Sequence, residues 1–312
     1  MSGTSWTARR LGAAQALAQD RVTAEVLGAL ADAGVPAVLL KGPALARWLY
    51  ADGAERRYGD TDVLVPAARR DDAAAVLAAL GFAARLKPSD VARALHAHPW
   101  RRERDGAVVD LHVTIAGMQA PPDAVFAALP TEPLTVGGRD VPALAPGARA
   151  LHVALHAAHD GVDGGKPLRD LERAVGQLDR DVWREAAALA RVVEAEEALG
   201  AGLRLAPDGA AIADALGVTR AQSTERRLLA ASAPREALTV EQLASTRGAA
   251  ARARIVLNRV VPPPSYLRFR HPLARRGPAG LVLAYLWRPV SLALRAPRAI
   301  SAWRRAARSD SA

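Results

Sequence analysis

Hydrophobic positions change their spacing along the first 115 residues. Apolar residues recur at about 3.6-residue spacing from Thr7 to Ala33, which predicts an amphipathic helix that ends at Gly34. Short apolar runs follow, bounded by Gly, Pro and charged residues, as is typical of strands alternating with helices. We predict helices over residues 7–33, 43–50 and 69–80, strands over residues 35–40, 61–65, 82–86 and 108–115, and a polar loop over residues 51–59.

The pattern after residue 116 is different. A stretch rich in Pro and Gly contains one predicted hairpin at Gly137-Gly138, and the chain then shows helical spacing almost throughout. The fold class is therefore α/β in an α+β arrangement, with a small mixed sheet followed by a helical domain and a basic tail. The predicted helices of the second half cover residues 148–160, 168–178, 183–199, 210–216, 224–231 and 240–260. The predicted units are residues 1–116, a linker over 117–147, the helical domain over 148–261 and a basic Pro/Arg-rich segment over 262–312.

The amino-acid composition excludes any chemistry that depends on cysteine. The chain has 312 residues, 50% of them hydrophobic, and no Cys, which excludes disulfides, thiolate nucleophiles and Cys-ligated zinc. Its first twenty residues lack the apolar core of a signal peptide, so a cytoplasmic location is expected. The net charge is +10, but residues 265–312 hold ten Arg and one acidic residue, a local charge of 10 − 1 = +9. The remaining residues carry only 10 − 9 = +1, so the charge belongs to the tail.

Three carboxylates occur in predicted strands. Asp60 and Asp62 are two residues apart at the start of one strand, so their side chains share one face. Asp110 lies in another strand about fifty residues later. Hard oxygen ligands of this kind suit Mg²⁺, although an Asp-x-Asp pair alone is more often a solvated edge or a turn signal.

Two further residue groups accompany the carboxylates. Lys41 and Gly42 end the first strand and precede a helix, so backbone N–H groups and an ammonium meet where a phosphate binds well. His112 follows Asp110 by two positions and shares its face. His112 could orient a carboxylate, accept a proton or simply pack between strands.

This order of features resembles the nucleotidyltransferase superfamily of the DNA polymerase beta type. More narrowly, it is similar to a poorly characterised bacterial nucleotidyltransferase family with Lys-Gly in place of the usual Gly-Ser. Lys41 therefore stands where many superfamily members have Ser, and their loop contacts cannot be transferred unchanged. The matching residues are Lys41, Gly42, Pro43, Leu49, Tyr50, Arg56, Gly59, Asp60, Asp62, Leu64, Val65, Gly81, Phe82, Asp110, Leu111 and His112.

The resemblance implies transfer of an NMP group from an NTP to a hydroxyl or phosphate of an acceptor. Asp60, Asp62 and Asp110 would then be both the catalytic residues and the ligands of a two-metal Mg²⁺ site. The nucleotide would be bound by Lys41, Gly42, Arg56 and His112. A small metabolite, sugar or peptide product is the favoured acceptor. RNA or tRNA, as in toxin-type enzymes, is the alternative, and a non-catalytic nucleotide-binding or scaffold protein is a third.

His152, His156 and His159 lie at i, i+4 and i+7 on one predicted helical face. Zinc binding, contact with a substrate and neutral packing all remain open, and no Glu stands beside the first His as in familiar zinc helices.

The basic tail also allows several interpretations of what it contacts. Contact with an anionic membrane surface, with nucleic acid or with the protein's own helical domain is open. Its apolar runs are too short to span a bilayer. Proline at positions 272, 278, 289 and 297 is expected to prevent a single long helix.

Overall fold

The structure is a computed structural model that describes residues 3–51, 56–86, 97–219 and 222–308, with side chains from Gly12 onward. The predicted loop over residues 51–59 and the predicted tail therefore lie partly outside the described residues.

A seven-stranded mixed sheet forms the centre of the first half, in the order β3-β4-β5-β2-β1-β7-β6. The central strand β2 pairs in parallel with β5 and antiparallel with β1, and β1 pairs in parallel with β7. The outer pairs are antiparallel. The strands are β1 (Val38–Leu39), β2 (Thr61–Leu64), β3 (Phe82–Ala84), β4 (Ala97–Arg102), β5 (Val108–His112), β6 (Thr131–Val136) and β7 (Arg139–Leu144).

Helices surround this sheet and make up most of the second half. The first four are α1 (Gly3–Asp32), α2 (Pro43–Leu49), α3 (Arg70–Ala79) and α4 (Pro122–Ala128). The next five are α5 (Pro146–Asp160), α6 (Lys166–Gln177), α7 (Arg180–Val192), α8 (Glu196–Leu203) and α9 (Gly209–Ala215). The last five are α10 (Thr224–Ala230), α11 (Arg235–Ser245), α12 (Ala249–Val260), α13 (Pro264–Arg270) and α14 (Gly277–Arg308). The predicted α/β fold class with a helical second half is confirmed.

The two faces of the sheet have separate cores because strand side chains alternate. Val63 and Val109 pack with α1 and α3 in one apolar cluster. Leu64 packs on the other face with Leu151 of α5 and the helical domain. Asp62 is two residues before Leu64, so it lies on the face that the helical domain covers.

Several boundaries differ from the prediction. The segment 117–147 contributes β6 and β7 to the sheet, joined by the hairpin predicted at Gly137-Gly138. Strand β4 was not predicted. The single helix expected over residues 183–199 is wrong: α7 and α8 are separated at Glu194, whose φ is 54°. The helix expected over 240–260 is likewise broken, at Gly248 with φ 91°, a conformation that ends helices.

The tail departs most from expectation. Helix α14 runs for 32 residues with Pro289 and Pro297 inside it, so the prediction that proline prevents a long helix is wrong. An interior proline costs about 3 kcal/mol of helix stability, but α14 is packed at both ends. Ala284 joins a cluster with α13, and Ala299 joins one with α10 and α11. In the described part of the chain, no helix combines the length and apolar character needed to cross a membrane.

Candidate functional site

The strand register brings two of the predicted carboxylates together. Asp62 of β2 lies directly opposite Asp110 of β5. Thr61 points to the other face, where it is hydrogen-bonded by Gln19 (2.8 Å) and lies 2.9 Å from the Thr23 hydroxyl of α1. This anchoring of Thr61 fixes the strand so that Asp62 faces the helical domain. We call Asp60, Asp62 and Asp110, with Lys41, the carboxylate site.

Lys41 reaches the carboxylate site from the turn between β1 and α2. Its ammonium lies 2.9 Å from Asp62 Oδ1, and its side chain is 15% exposed. Gly42 follows with φ 65° and ψ −122°, a backbone conformation that a side chain would strain. Burial lowers the pKa of Lys41, but the charge and hydrogen bond of Asp62 outweigh it, and the net pKa is raised. Lys41 is therefore a cation at neutral pH.

Asp62 is the most constrained of the three carboxylates. Oδ1 of Asp62 also lies 3.1 Å from His112 Nε2, and the residue is 3% exposed. Burial would raise the pKa of this carboxyl, but the Lys41 charge and the His112 hydrogen bond hold it far below its usual range. His112 therefore contacts Asp62 on the neighbouring strand.

Asp60 and Asp110 are shifted in the opposite direction. Burial and the charge of Asp62 raise the pKa of Asp60. The same two causes raise the pKa of Asp110 to about 6, with a further contribution from Asp60. The three carboxylates therefore repel one another, and the charges of Lys41 and Lys166 balance them only in part.

The donor set fits a hard divalent cation in its chemistry, since carboxylate oxygens are what Mg²⁺ prefers. A cation would also relieve the repulsion that raises the pKa of Asp60 and Asp110. Among the described residues, however, no three His, Cys, Asp or Glu side chains are arranged to hold a metal ion. Lys41 and His112 both contact Oδ1 of Asp62, so a metal bound through this particular oxygen would require one of the two side chains to move.

Arg56 has a partner other than a phosphate. Its guanidinium donates from Nε to Asp170 Oδ1 at 2.8 Å and from Nη2 to Asp170 Oδ2 at 2.7 Å, and both side chains are 2% exposed. Tyr50 donates to the same carboxylate at 2.7 Å. Nη1 of Arg56 also donates to the Gly42 carbonyl at 3.5 Å. This geometry favours Arg56 as a support of the Lys41-Gly42 turn, and its predicted contact with phosphate stays a prediction.

The three histidines of α5 that were predicted to share one helical face line one small pocket with Lys41 and His112. Burial lowers the pKa of His152 to about 3, and the Lys41 charge acts in the same direction. Burial also lowers the pKa of His156 and of His159. All three are neutral at physiological pH, so the pocket presents neutral imidazoles beside one ammonium.

Comparison with known proteins assigns the chain to a family. Residues 5–208, about two thirds of the chain, match the model of a family described as uncharacterised nucleotidyltransferase. The chain belongs to this nucleotidyltransferase family. The resemblance drawn from the Lys-Gly and Asp-x-Asp residues is thereby confirmed. No curated protein matches the chain.

A solved structure of low similarity aligns with this chain. It is an antigenic nucleotidyltransferase-like protein from Paracoccidioides brasiliensis, with 16% identity and a TM-score of 0.35. The alignment covers 57% of this chain and 92% of that chain. The family match alone carries the assignment.

The family match spans both the sheet and the first helices of the second half. Asp170 lies inside this span, and its pairing with Arg56 was not predicted from the sequence. Its contact with Arg56 joins positions 114 apart in the chain, which no local pattern reveals. The helices after residue 208, including the arginine-rich tail, lie outside the match.

Proposed function

We propose that this protein is a Mg²⁺-dependent nucleotidyltransferase that moves an NMP group from an NTP to a hydroxyl or phosphate of a small acceptor. The observation that carries the proposal is the carboxylate site, in which Asp62 and Asp110 face each other across parallel strands beside the Lys41 ammonium. Family membership supports nucleotidyl transfer in general.

The three carboxylates would hold the metal. Asp60 directly precedes the central strand, Asp62 is the second residue of that strand, and Asp110 lies on the neighbouring strand, so the metal would be held from two strands. Mg²⁺, when bound, would neutralise the triphosphate and orient the α-phosphorus for in-line displacement. Without Mg²⁺, the Lys41 ammonium, 2.9 Å from Asp62 Oδ1, is the close counterion of that carboxylate.

Lys41 and Gly42 would receive the phosphates. The Lys41 side chain is partly exposed and lines the small pocket, and Gly42 lets the backbone approach a ligand closely. Arg56 would act as a positioning residue, because its bonds to Asp170 and to the Gly42 carbonyl hold the turn in place. His112 would orient Asp62 through its 3.1 Å contact.

The first test is Asp62→Asn, which removes the charge that pairs with Lys41. We expect Mg²⁺-dependent pyrophosphate release from labelled NTPs to fall by about 10³-fold or more, as when charge stabilisation at a reaction centre is lost. The matched control is Asp71→Asn, which changes an exposed carboxylate at the first turn of α3 and should leave the rate unchanged. Full activity of Asp62→Asn would show the assignment to be wrong.

Asp110→Asn separates a functional role from a structural one. The pKa of Asp110 is raised to about 6, so its charge destabilises the folded state at pH 7.5. We therefore expect this variant to lose activity while its free energy of unfolding rises by about 1–3 kcal/mol. Urea unfolding and pyrophosphate release measure the two effects. A variant that is both less active and less stable would point to a structural carboxylate.

The acceptor class is tested with separate pools of small metabolites, tRNA and protein and with labelled NTPs. Label in the small-molecule pool is the expected result. Label in tRNA would favour the RNA-modifying alternative. Calorimetric binding of Mg²⁺ and NTP without turnover on any pool would favour a non-catalytic nucleotide-binding protein.

A further inference from the structure

A cleft of about 750 Å³ lies among the C-terminal helices, outside the family match. Residues of α11, α12, α13 and α14 form its walls. The Tyr285 hydroxyl donates to the Pro262 carbonyl at 2.6 Å and ties α14 to the turn between α12 and α13. The volume falls in the usual range of small-molecule sites, about 300–1,000 Å³.

The lining of this cleft is strongly positive. Among the described residues that line it, only Glu236 carries a carboxylate, and Arg295 donates to it at 3.2 Å. We call this feature the arginine cleft. Its basic residues are Arg235, Arg259, Arg270, His271, Arg288 and Arg295.

Two of these arginines lie against each other. Arg288 donates from Nε to the Arg259 carbonyl at 2.7 Å. Burial lowers the pKa of Arg288, and the Arg259 charge lowers it further. Nε of Arg259 and Nδ1 of His271 are buried without a hydrogen-bond partner within the described ranges. Neighbouring cations and the unpaired N–H donor of Arg259 both favour binding of an anion.

One edge of the arginine cleft is connected to the C-terminal end of α5. Ser232 donates from Oγ to the Asp160 carbonyl at 3.0 Å, which ties the start of α11 to the end of α5. Arg235, at the first position of α11, lines the cleft. Burial lowers the pKa of His159, and Arg235 and Lys41 both lower it further by their charge. The Arg235 edge of the cleft therefore adjoins the C-terminal end of α5, which carries His159, and His159 lines the same pocket as Lys41.

We infer that the arginine cleft binds the phosphate group of a small phosphorylated molecule, which is the acceptor of the nucleotidyl transfer. Several guanidinium groups around one space suit a dianionic phosphate, because each can donate two parallel hydrogen bonds. The role as acceptor rests on the proposed function, whereas phosphate binding does not.

Phosphate binding is tested by calorimetry with inorganic tripolyphosphate in EDTA. Without a divalent cation the carboxylate site repels this anion, so the arginine cleft is the expected site. Arg259→Gln should weaken binding by about tenfold, the effect of losing one charge-assisted contact. Arg254→Gln changes an exposed arginine on the same helix that does not line the cleft and should have no effect.

Glu236→Gln gives an effect of the opposite sign. It removes the one lining carboxylate and releases Arg295, so binding should tighten by about threefold or more. Damage to the fold cannot produce that gain, which keeps the test decisive where Arg259→Gln folds poorly. Equal affinity in all four proteins would overturn the inference. So would equal losses in Arg254→Gln and Arg259→Gln, since the general positive charge would then explain binding.

The acceptor role is tested with a pool of sugar phosphates and nucleoside monophosphates, and with the same pool after phosphatase treatment. Label from an NTP should enter only the untreated pool, and Arg259→Gln should raise KM for the pool with little change in kcat. Label in the treated pool would overturn the role. Asp62→Asn should lose transfer but keep tripolyphosphate binding, so failure of the cleft and failure of the proposed function are distinguishable.

Discussion

The carboxylate site and the arginine cleft both gather like charges, but they hold them differently. Asp62 is 3% exposed and is bound by Lys41 and His112, whereas the arginines of the cleft surround an open volume of about 750 Å³. Buried like charges persist only when neighbours fix them, while charges facing solvent are screened. This contrast supports the proposals of a cation ligand for the first region and an anion ligand for the second.

The largest effect is expected where a buried charge loses its partner. Asp170→Ala leaves the Arg56 guanidinium buried without a carboxylate, so the free energy of unfolding should fall by about 3–5 kcal/mol. Urea unfolding at neutral pH measures this change. Glu172→Ala, at an exposed position two residues later on α6, is the control and should change stability by less than about 0.5 kcal/mol.

A smaller loss of stability is expected at the arginine cleft than at the buried Arg56–Asp170 pair. Replacing Arg259, which faces the cleft, should change the stability much less than Asp170→Ala does. If Arg259→Gln destabilised the protein as strongly, the cleft arginines would be structural, and the contrast between the two regions would fail.

The neutral histidines beside the carboxylate site predict a loss of stability in acid. The pKa of His152 is about 3 in the folded state, below its ordinary value of 6.5, so the unfolded chain binds a proton first as pH falls. This stability is present above pH 6.5 and is lost from there toward pH 3. Between pH 7.5 and pH 5 the loss from His152 should be about 2 kcal/mol.

The readout for His152 is a difference between two proteins, because the raised pKa of Asp110 acts in the opposite direction over the same range. In His152→Gln the change in unfolding free energy from pH 7.5 to pH 5 should be less destabilising than in the unmodified protein by about 2 kcal/mol. Identical pH dependence in the two proteins would mean that His152 is protonated as readily as in the unfolded chain.

The parts of the fold that local patterns determine were predictable. Alternation places Asp62 and Leu64 on one face and Val63 on the other, as the two separate cores confirm. The fold class and the family followed from the same strands and from the Lys-Gly turn.

The remainder depends on contacts between distant positions. Pairing of Arg56 with Asp170 joins two units through an ion pair that neither local sequence shows. Helix α14 continues through Pro289 because Ala284 and Ala299 are packed on either side of it. The arginine cleft likewise needs four helices to meet, whereas the sequence showed only an excess of Arg.

The smallest effect is expected from salt. Salt should act on the exposed charges of the arginine cleft and leave the buried Arg56–Asp170 pair unaffected. Raising NaCl from 50 to 300 mM should weaken tripolyphosphate binding to the arginine cleft by about fivefold, since ions reach its charges. The stability lost in Asp170→Ala should stay constant over this range, because Arg56 and Asp170 are 2% exposed. Calorimetry and urea unfolding at both salt concentrations measure the two responses. Salt-independent binding would place the anion in a closed site, and the distinction between a buried, internally paired region and an open one would no longer hold.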